Sequence, residues 1–372
     1  MNGKTAFNFF KDEKIVTGWN LGDTLDAHED GISGETLWGN PMANQALFNS
    51  VREAGFDLVR IPVTWMGHFG AGPDYIIEEK FLRRVAEVAD LARQAGLKAI
   101  INMHHDGYTD KGGKDSGWHS INKARQSQQG YEEVTFIFTQ LWKQIAEYFK
   151  DHGEWLMFEP MNEIHDGNWG YDDDGELNIT GELRAQFEIV NKWNQIFTDT
   201  VRAAGANNAG RYLVLPGYCT VPEHTAAPYF VLPKDSVSGR QIITIHYYDP
   251  YEFGIEGSQA FWGSAEDKQK VDEDFAPFKK RFIDKGIPVI LGESGAVRQL
   301  HRRDKSKEAQ ARQCRLDYLS HVYGKAREYG LVPLYWDTGA FTGQGEKFGL
   351  FNRRTGKPNS TESEAVIKAM FS

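Results

Sequence analysis

Cysteine is scarce: Cys219 and Cys314 are the only two in 372 residues. They lie far apart and in no CxxC or other metal spacing. That excludes a disulfide framework or thiolate metal centre, and both are read as buried thiols. No apolar run approaches the ~20 residues of a membrane span. The opening MNGKTAFNFFKDEK lacks the apolar stretch of a signal peptide. Basic residues are outnumbered, 42 Lys+Arg against 52 Asp+Glu, for a formal charge of −10. Sequence-independent nucleic-acid binding needs the opposite balance. There is no phosphate-cradling glycine motif. GESGA (292–296) does not complete the GxSxG nucleophile elbow, because Ala296 stands where the motif ends in Gly.

What is abundant is more telling. Ten Trp, 15 Tyr and 23 Phe in an acidic chain imply either a heavy core or flat rings offered to a ligand. Forty per cent hydrophobic and 25% charged residues are ordinary for a globular protein. Short apolar runs recur at 15–20, 57–63, 97–103, 154–160, 211–217, 241–248, 287–293 and 331–337. They are continuous rather than alternating, as strands covered on both faces are. Between them lie helical patterns that stop at glycine, at 78–96, 134–153 and 187–205. Eight strands alternating with helices predict an α/β fold, a single (β/α)8 TIM barrel spanning 1–372. No linker divides the chain. The segment FNFFKDEK is expected to form a small lid on the barrel bottom. The long connections 104–133, 164–182 and 249–270 are expected at the C-terminal face, where such barrels keep their active sites.

Polar residues gather at the ends of these strands: Arg60, then His104 and His105, Asn162 and Glu163, His246 and Tyr248, Glu293, Trp336 and Asp337. In a closed barrel those ends converge on one pocket. Two carboxylates among them, Glu163 and Glu293, suit glycoside hydrolysis, in which an acid protonates the leaving oxygen and an anion meets the oxocarbenium centre. The sequence leaves their separation open, and with it the choice between retention (~5–5.5 Å) and inversion (~6.5–9.5 Å).

Taken in order, these motifs resemble glycoside hydrolase family 5, in its retaining endo-β-1,4-glucanase (cellulase) form. Asn162-Glu163 is similar to the family's Asn-Glu pair bearing the acid/base, and Glu293 in LGES to its nucleophile. Arg60 in VRIPVTW, His104 in NMHHDG, His246 and Tyr248 in HYYDP, and Trp336 in YWDTG match further signature positions. GWNLGDTLDA (18–27) and ETLWGNP (35–41) resemble a subgroup with cellulase, xyloglucanase and licheninase members. Asp23, where that subgroup usually has Asn, and Pro160 depart from it. The resemblance implies an ionised Glu293 beside Arg60, a protonated Glu163, an Asn162 contact to the sugar 2-hydroxyl and a Tyr248 hydrogen bond to Glu293. It also implies sugar stacking on Trp336. Arg60, His104, His105, Asn162, His246, Tyr248, Trp336, Asn20 and Trp38 are expected to bind substrate.

The resemblance implies a β-1,4-glucan substrate, with xyloglucan, mixed-linkage glucan or mannan as alternatives. It also implies no cofactor, a monomer with neither membrane nor nucleic acid as partner, and secretion, because polymers do not enter cells. A metal at His104-His105-Asp106 is set aside because adjacent side chains on a strand face opposite ways. The acidic loop YDDDGELN (171–178) lacks calcium-loop spacing. Of the tryptophans, Trp38, Trp65, Trp118, Trp169 and Trp262 fall in or near rim loops, whereas Trp142 and Trp193 are read as core.

Overall fold

The computed structural model describes residues 4–110, 112–171, 181–301, 304–343 and 346–372. Eight strands, β1 (Gly18–Leu21), β2 (Leu58–Ile61), β3 (Lys98–Asn102), β4 (Leu156–Glu159), β5 (Leu213–Pro216), β6 (Gln241–Tyr247), β7 (Val289–Ser294) and β8 (Leu331–Asp337), pair in parallel. They close into one barrel, with β1 between β8 and β2. Each falls inside or within a residue of one of the eight apolar runs. Helices Glu79–Gln94, Gln128–Tyr148 and Gly181–Ala203 occupy the three helical patterns. After β5 the outer layer thins to a five-residue helix, Pro222–Ala226. No helix among the described residues is long and apolar enough to cross a membrane.

Period-two alternation divides the core. Val59, Ile61, Ala99, Ile101, Leu156, Phe158, Ile243 and Ile245 face the helices and join the large outer core. Leu58, Ile100, Met157, Val214, Ile242, Ile290 and Leu334 fill the barrel floor, together with Phe9, Phe10 and Ile15 from the N-terminal segment. Helix Ala6–Asp12 thus closes the bottom as expected, with Phe9 stacked on Tyr212 at 4.6 Å. One step up the same inward rows, the residues turn polar: Arg60, Asn102, Glu159 and Thr244. The sequence therefore supplies a greasy base and a charged mouth within each strand.

β7 breaks the regular register. Ile245 stands opposite Leu291, yet His246 stands opposite Glu293, so β7 carries one extra residue at Gly292. The β8 side shows the same slip, between Pro333 and Tyr335. Such bulges re-aim side chains beside active sites. Here the bulge lets both Gly292 and Glu293 face inward while Ser294 returns to the outer core, 3.0 Å from the Tyr323 hydroxyl.

Cys219 and Cys314 are free and buried. Trp142 and Trp193 are core, and so are Trp65 and Trp262, which the sequence assigned to the rim. The acidic loop, apart from Tyr171, lies outside the described residues.

Candidate active site

Arg60 organises the mouth from beneath. Its Nε and Nη2 donate to the two oxygens of Glu159 at 2.6 and 3.2 Å. Nη1 donates to Glu293 Oε1 at 2.7 Å and Asn20 Oδ1 at 3.2 Å, and Nη2 also donates to Asn162 Oδ1 at 2.7 Å. The five N–H bonds of a guanidinium are thereby all used. Arg60 and Asn20 are both 0% exposed and neither borders the cavity above. This corrects the expectation that they bind sugar. Asn20 instead donates to the carbonyl of Gly292 at 2.8 Å and so braces the bulge. Asp337 also turns away, accepting from Trp19 Nε1 at 2.9 Å.

Above Arg60 the two glutamates meet. One oxygen of Glu163, one of Glu293 and a nitrogen of His246 all lie within 4.8 Å of one another. His246 Nδ1 is 2.6 Å from Glu163 Oε1 and 3.5 Å from Glu293 Oε2. The Tyr248 hydroxyl donates to Glu293 Oε2 at 3.1 Å. Since Asn162 Oδ1 accepts from Arg60, its amide NH2 is the end left to face the cavity.

Charge balance separates the two carboxyls. Arg60 offsets one negative charge while Glu159 and Glu293 supply two, so a third buried anion is disfavoured. Burial first, and Glu159 in addition, lift Glu163 to about 7 against the pull of Arg60. Burial also raises Glu293, but there the charge of Arg60 and its hydrogen bond oppose the rise. His246 is held neutral, lowered to about 4 chiefly by burial. Two carboxyls in one pocket with environments that push them apart are the pattern of an acid and an ionised partner.

The histidine pair departs from the sequence reading. β3 ends at Asn102, and the following turn brings both rings to the cavity, 4.4 Å apart and edge-on. The alternation argument against a metal at this place therefore fails, and His104, His105 and Asp26 offer ligand atoms within 4.8 Å. The donor chemistry still favours a different role for His104. Asn102 Oδ1 accepts from Val63 N–H at 3.0 Å, so its NH2 faces His104 Nδ1 at 3.1 Å. That occupies the Nδ1 lone pair and leaves the proton on Nε2, 3.9 Å from Glu293 Oε1. The His104 ring lies parallel to Trp336 at 5.6 Å. Trp38 stands 5.7 Å from His105, outside the cavity lining and 44% exposed on its rim.

The cavity has a volume of about 610 Å³ and takes in the two glutamates, Asn162, His104, His105, His246, Tyr248 and Trp336. Its other walls were not singled out by motif: Tyr108, Trp169, Tyr171, Val221 and Glu346 come from loops, and Tyr251 and Ile255 from a short helical turn after β6. Trp169 was placed near the rim for its ring alone. Glu159 was passed over, although its position one turn of alternation above Met157 marks it as inward. Asp23 has φ +54°, a conformation that Asn and Asp tolerate best. Burial and nearby Asp26 lift its carboxyl to about 8. It therefore keeps its proton at neutral pH and mimics the shape of the Asn found in the resembling subgroup.

Comparison with known proteins accords with this arrangement. Residues 23–342 match the family model described as cellulase (glycosyl hydrolase family 5). Endoglucanase A of Paenibacillus barcinonensis is 35% identical over 96% of this chain and 88% of its own length. The solved GH5-4 broad specificity endoglucanase from Bacteroides salanitronis superposes with a TM-score of 0.87 and 42% identity, covering 99% of this chain and 95% of that one. The family 5 xyloglucanase from Paenibacillus pabuli gives 0.83 and 33%, over 96% and 98%. A match of this extent in model, sequence and structure settles descent: the chain belongs to glycosyl hydrolase family 5.

Proposed function

We propose that this glycoside hydrolase is a retaining endo-β-1,4-glucanase, with Glu293 as nucleophile and Glu163 as acid/base. The observation that carries the reading is the short separation of the two carboxyls, with oxygens within 4.8 Å in one cavity. Oxygens that close suit the ~5–5.5 Å between carboxyl groups of retaining enzymes better than the ~6.5–9.5 Å of inverting ones. Glu293 attacks the anomeric carbon while the glycosidic bond breaks and Glu163 gives its proton to the departing oxygen. Arg60 and Tyr248 keep Glu293 ionised and aimed. Once Glu293 is esterified its charge is gone, which lowers the proton affinity of Glu163 and lets it take a proton from the attacking water. Asn162, His104 and Trp336 are assigned to the sugar being cleaved.

Rings from Tyr108, Trp169, Tyr171 and Tyr251 spread around the mouth beyond the space of one sugar, which suits a polymer held at several units. The similarity to endoglucanases supports β-1,4-glucan as substrate, and the similarity to a xyloglucanase supports tolerance of a branched backbone. We infer a monomer acting on polysaccharide outside the cell. Hydrolysis rates on carboxymethylcellulose, xyloglucan, lichenan and glucomannan, with viscosity followed against reducing ends, test this. A rapid viscosity drop with few new ends is expected on at least one β-1,4-glucan. Release of short sugars without loss of viscosity is the contrary outcome.

The Glu163 carboxyl, raised to about 7, also fixes a pH limb. The acid form persists up to that pH, so kcat/KM on oligosaccharides should fall as pH rises through it. With a 2,4-dinitrophenyl β-cellobioside the departing phenolate needs no proton, and the basic limb should flatten. An identical limb with both substrates would remove Glu163 from the role of acid.

A further inference from the structure

One ring in the cavity wall is held by a strained backbone. Trp169, half-buried on the loop after β4, has φ +55°. Left-handed geometry is uncommon for so bulky a residue and persists only where the surroundings fix it. The residues before it are well tied. Asp166 accepts from the Asn168 N–H at 3.0 Å and from Gln186, which accepts in turn from the Tyr218 hydroxyl. His165 Nδ1 accepts from the Gly167 N–H at 3.0 Å, and its ring stacks on the Trp169 indole at 4.2 Å.

The backbone of Trp169 itself is met by His224, from the five-residue helix Pro222–Ala226. This imidazole is fully buried and packs against Phe187 and Tyr218. Its Nε2 is 2.8 Å from the Trp169 carbonyl, whereas Nδ1 meets no protein partner. The ring proton therefore belongs on Nε2, where the carbonyl accepts it. Gly170, at φ +81°, admits the ring, since a Cβ there would stand 2.3 Å from Nε2. His224 thus grips the peptide between two left-handed residues.

The barrel order gives this grip a place in the reaction. β4 and β8 are four strands apart in the closed barrel and so lie on opposite sides of the mouth. Trp336 of β8 is assigned to the sugar being cleaved. A ring on the β4 side, just beyond Glu163 in the chain, faces the sugar that departs. We propose that His224 is a positioning residue for the departing sugar: by holding the Trp169 carbonyl, it presents the indole as the platform on which that sugar stacks.

The inference rests on Glu163 being the acid, and the two fail separately. β-Cellobiosyl fluoride isolates the departing side, because fluoride leaves without a sugar to stack. In His224→Leu, KM for cellotetraose should rise about tenfold with kcat little changed, the pattern of lost uniform binding. The rate on the fluoride should stay parental, and His224→Gln, whose amide can donate to the same carbonyl, should restore KM. An unchanged cellotetraose KM, or equal losses on both substrates, would overturn the role of His224. Trp169→Ala gives an answer even if leucine at 224 prevents folding. It should raise the cellotetraose KM to the same extent, and a parental KM there would end the proposal. Glu163→Gln reports on the underlying reading. Its kcat/KM should collapse on cellotetraose and persist on the 2,4-dinitrophenyl cellobioside, and equal losses would fail the acid assignment itself.

Discussion

Glu293→Gln is expected to lower kcat by roughly 10⁴-fold or more, because the amide retains the shape of the side chain but cannot form or release a glycosyl ester. The scaffold around it should persist. Arg60 keeps its paired contacts with Glu159, and the Gln oxygen can still accept from Nη1. Oligosaccharide affinity should change little, since Trp336, Asn162 and the histidines are untouched. Single-turnover kinetics and calorimetric binding on one preparation check both halves. Near-parental turnover would remove the nucleophile assignment. Loss of binding together with turnover would instead point to a collapsed mouth.

Arg60→Met should damage stability as well as activity. The guanidinium is the cation paired with Glu159 and Glu293. Removing one partner of a buried ion pair typically costs about 3–5 kcal/mol, because the anions left behind are uncompensated. Chemical denaturation should show a loss of that order. Activity should fall as well, since Glu293 would lose its aim and hold a proton more tightly. Adding Glu159→Gln should recover part of the stability without recovering activity, a coupling that a double-mutant cycle reads directly. A change below about 1 kcal/mol, the range of exposed pairs, would mean that Arg60 is not the organiser described.

The barrel was legible because strands covered on both sides are written as continuous apolar runs, and eight of them allow little else. The two glutamates were legible because strand ends in a closed barrel converge. Other features were hidden for physical reasons. Arg60 and Asn20 carry a sequence signal for the site, but no signal for depth. Only the alternation of Leu58 and Arg60 against Val59 and Ile61 shows that the guanidinium lies under the carboxylates rather than beside the sugar. The bulge at Gly292 is a register effect between strands and leaves no mark on one strand read alone. The facing of His104 and His105 was misjudged because β3 stops two residues before the first of them, and alternation ends with the strand. Loop residues such as Tyr108 and Glu346 reach the cavity through chain paths that carry no periodicity.

The account turns on a single chemical course, and the configuration of the first product reports it. Proton NMR during the earliest minutes of oligosaccharide hydrolysis should show the new reducing end appearing as the β anomer, with the α form growing only by mutarotation. Initial release of the α anomer would mean a single displacement by water, irreconcilable with carboxyl oxygens this close together.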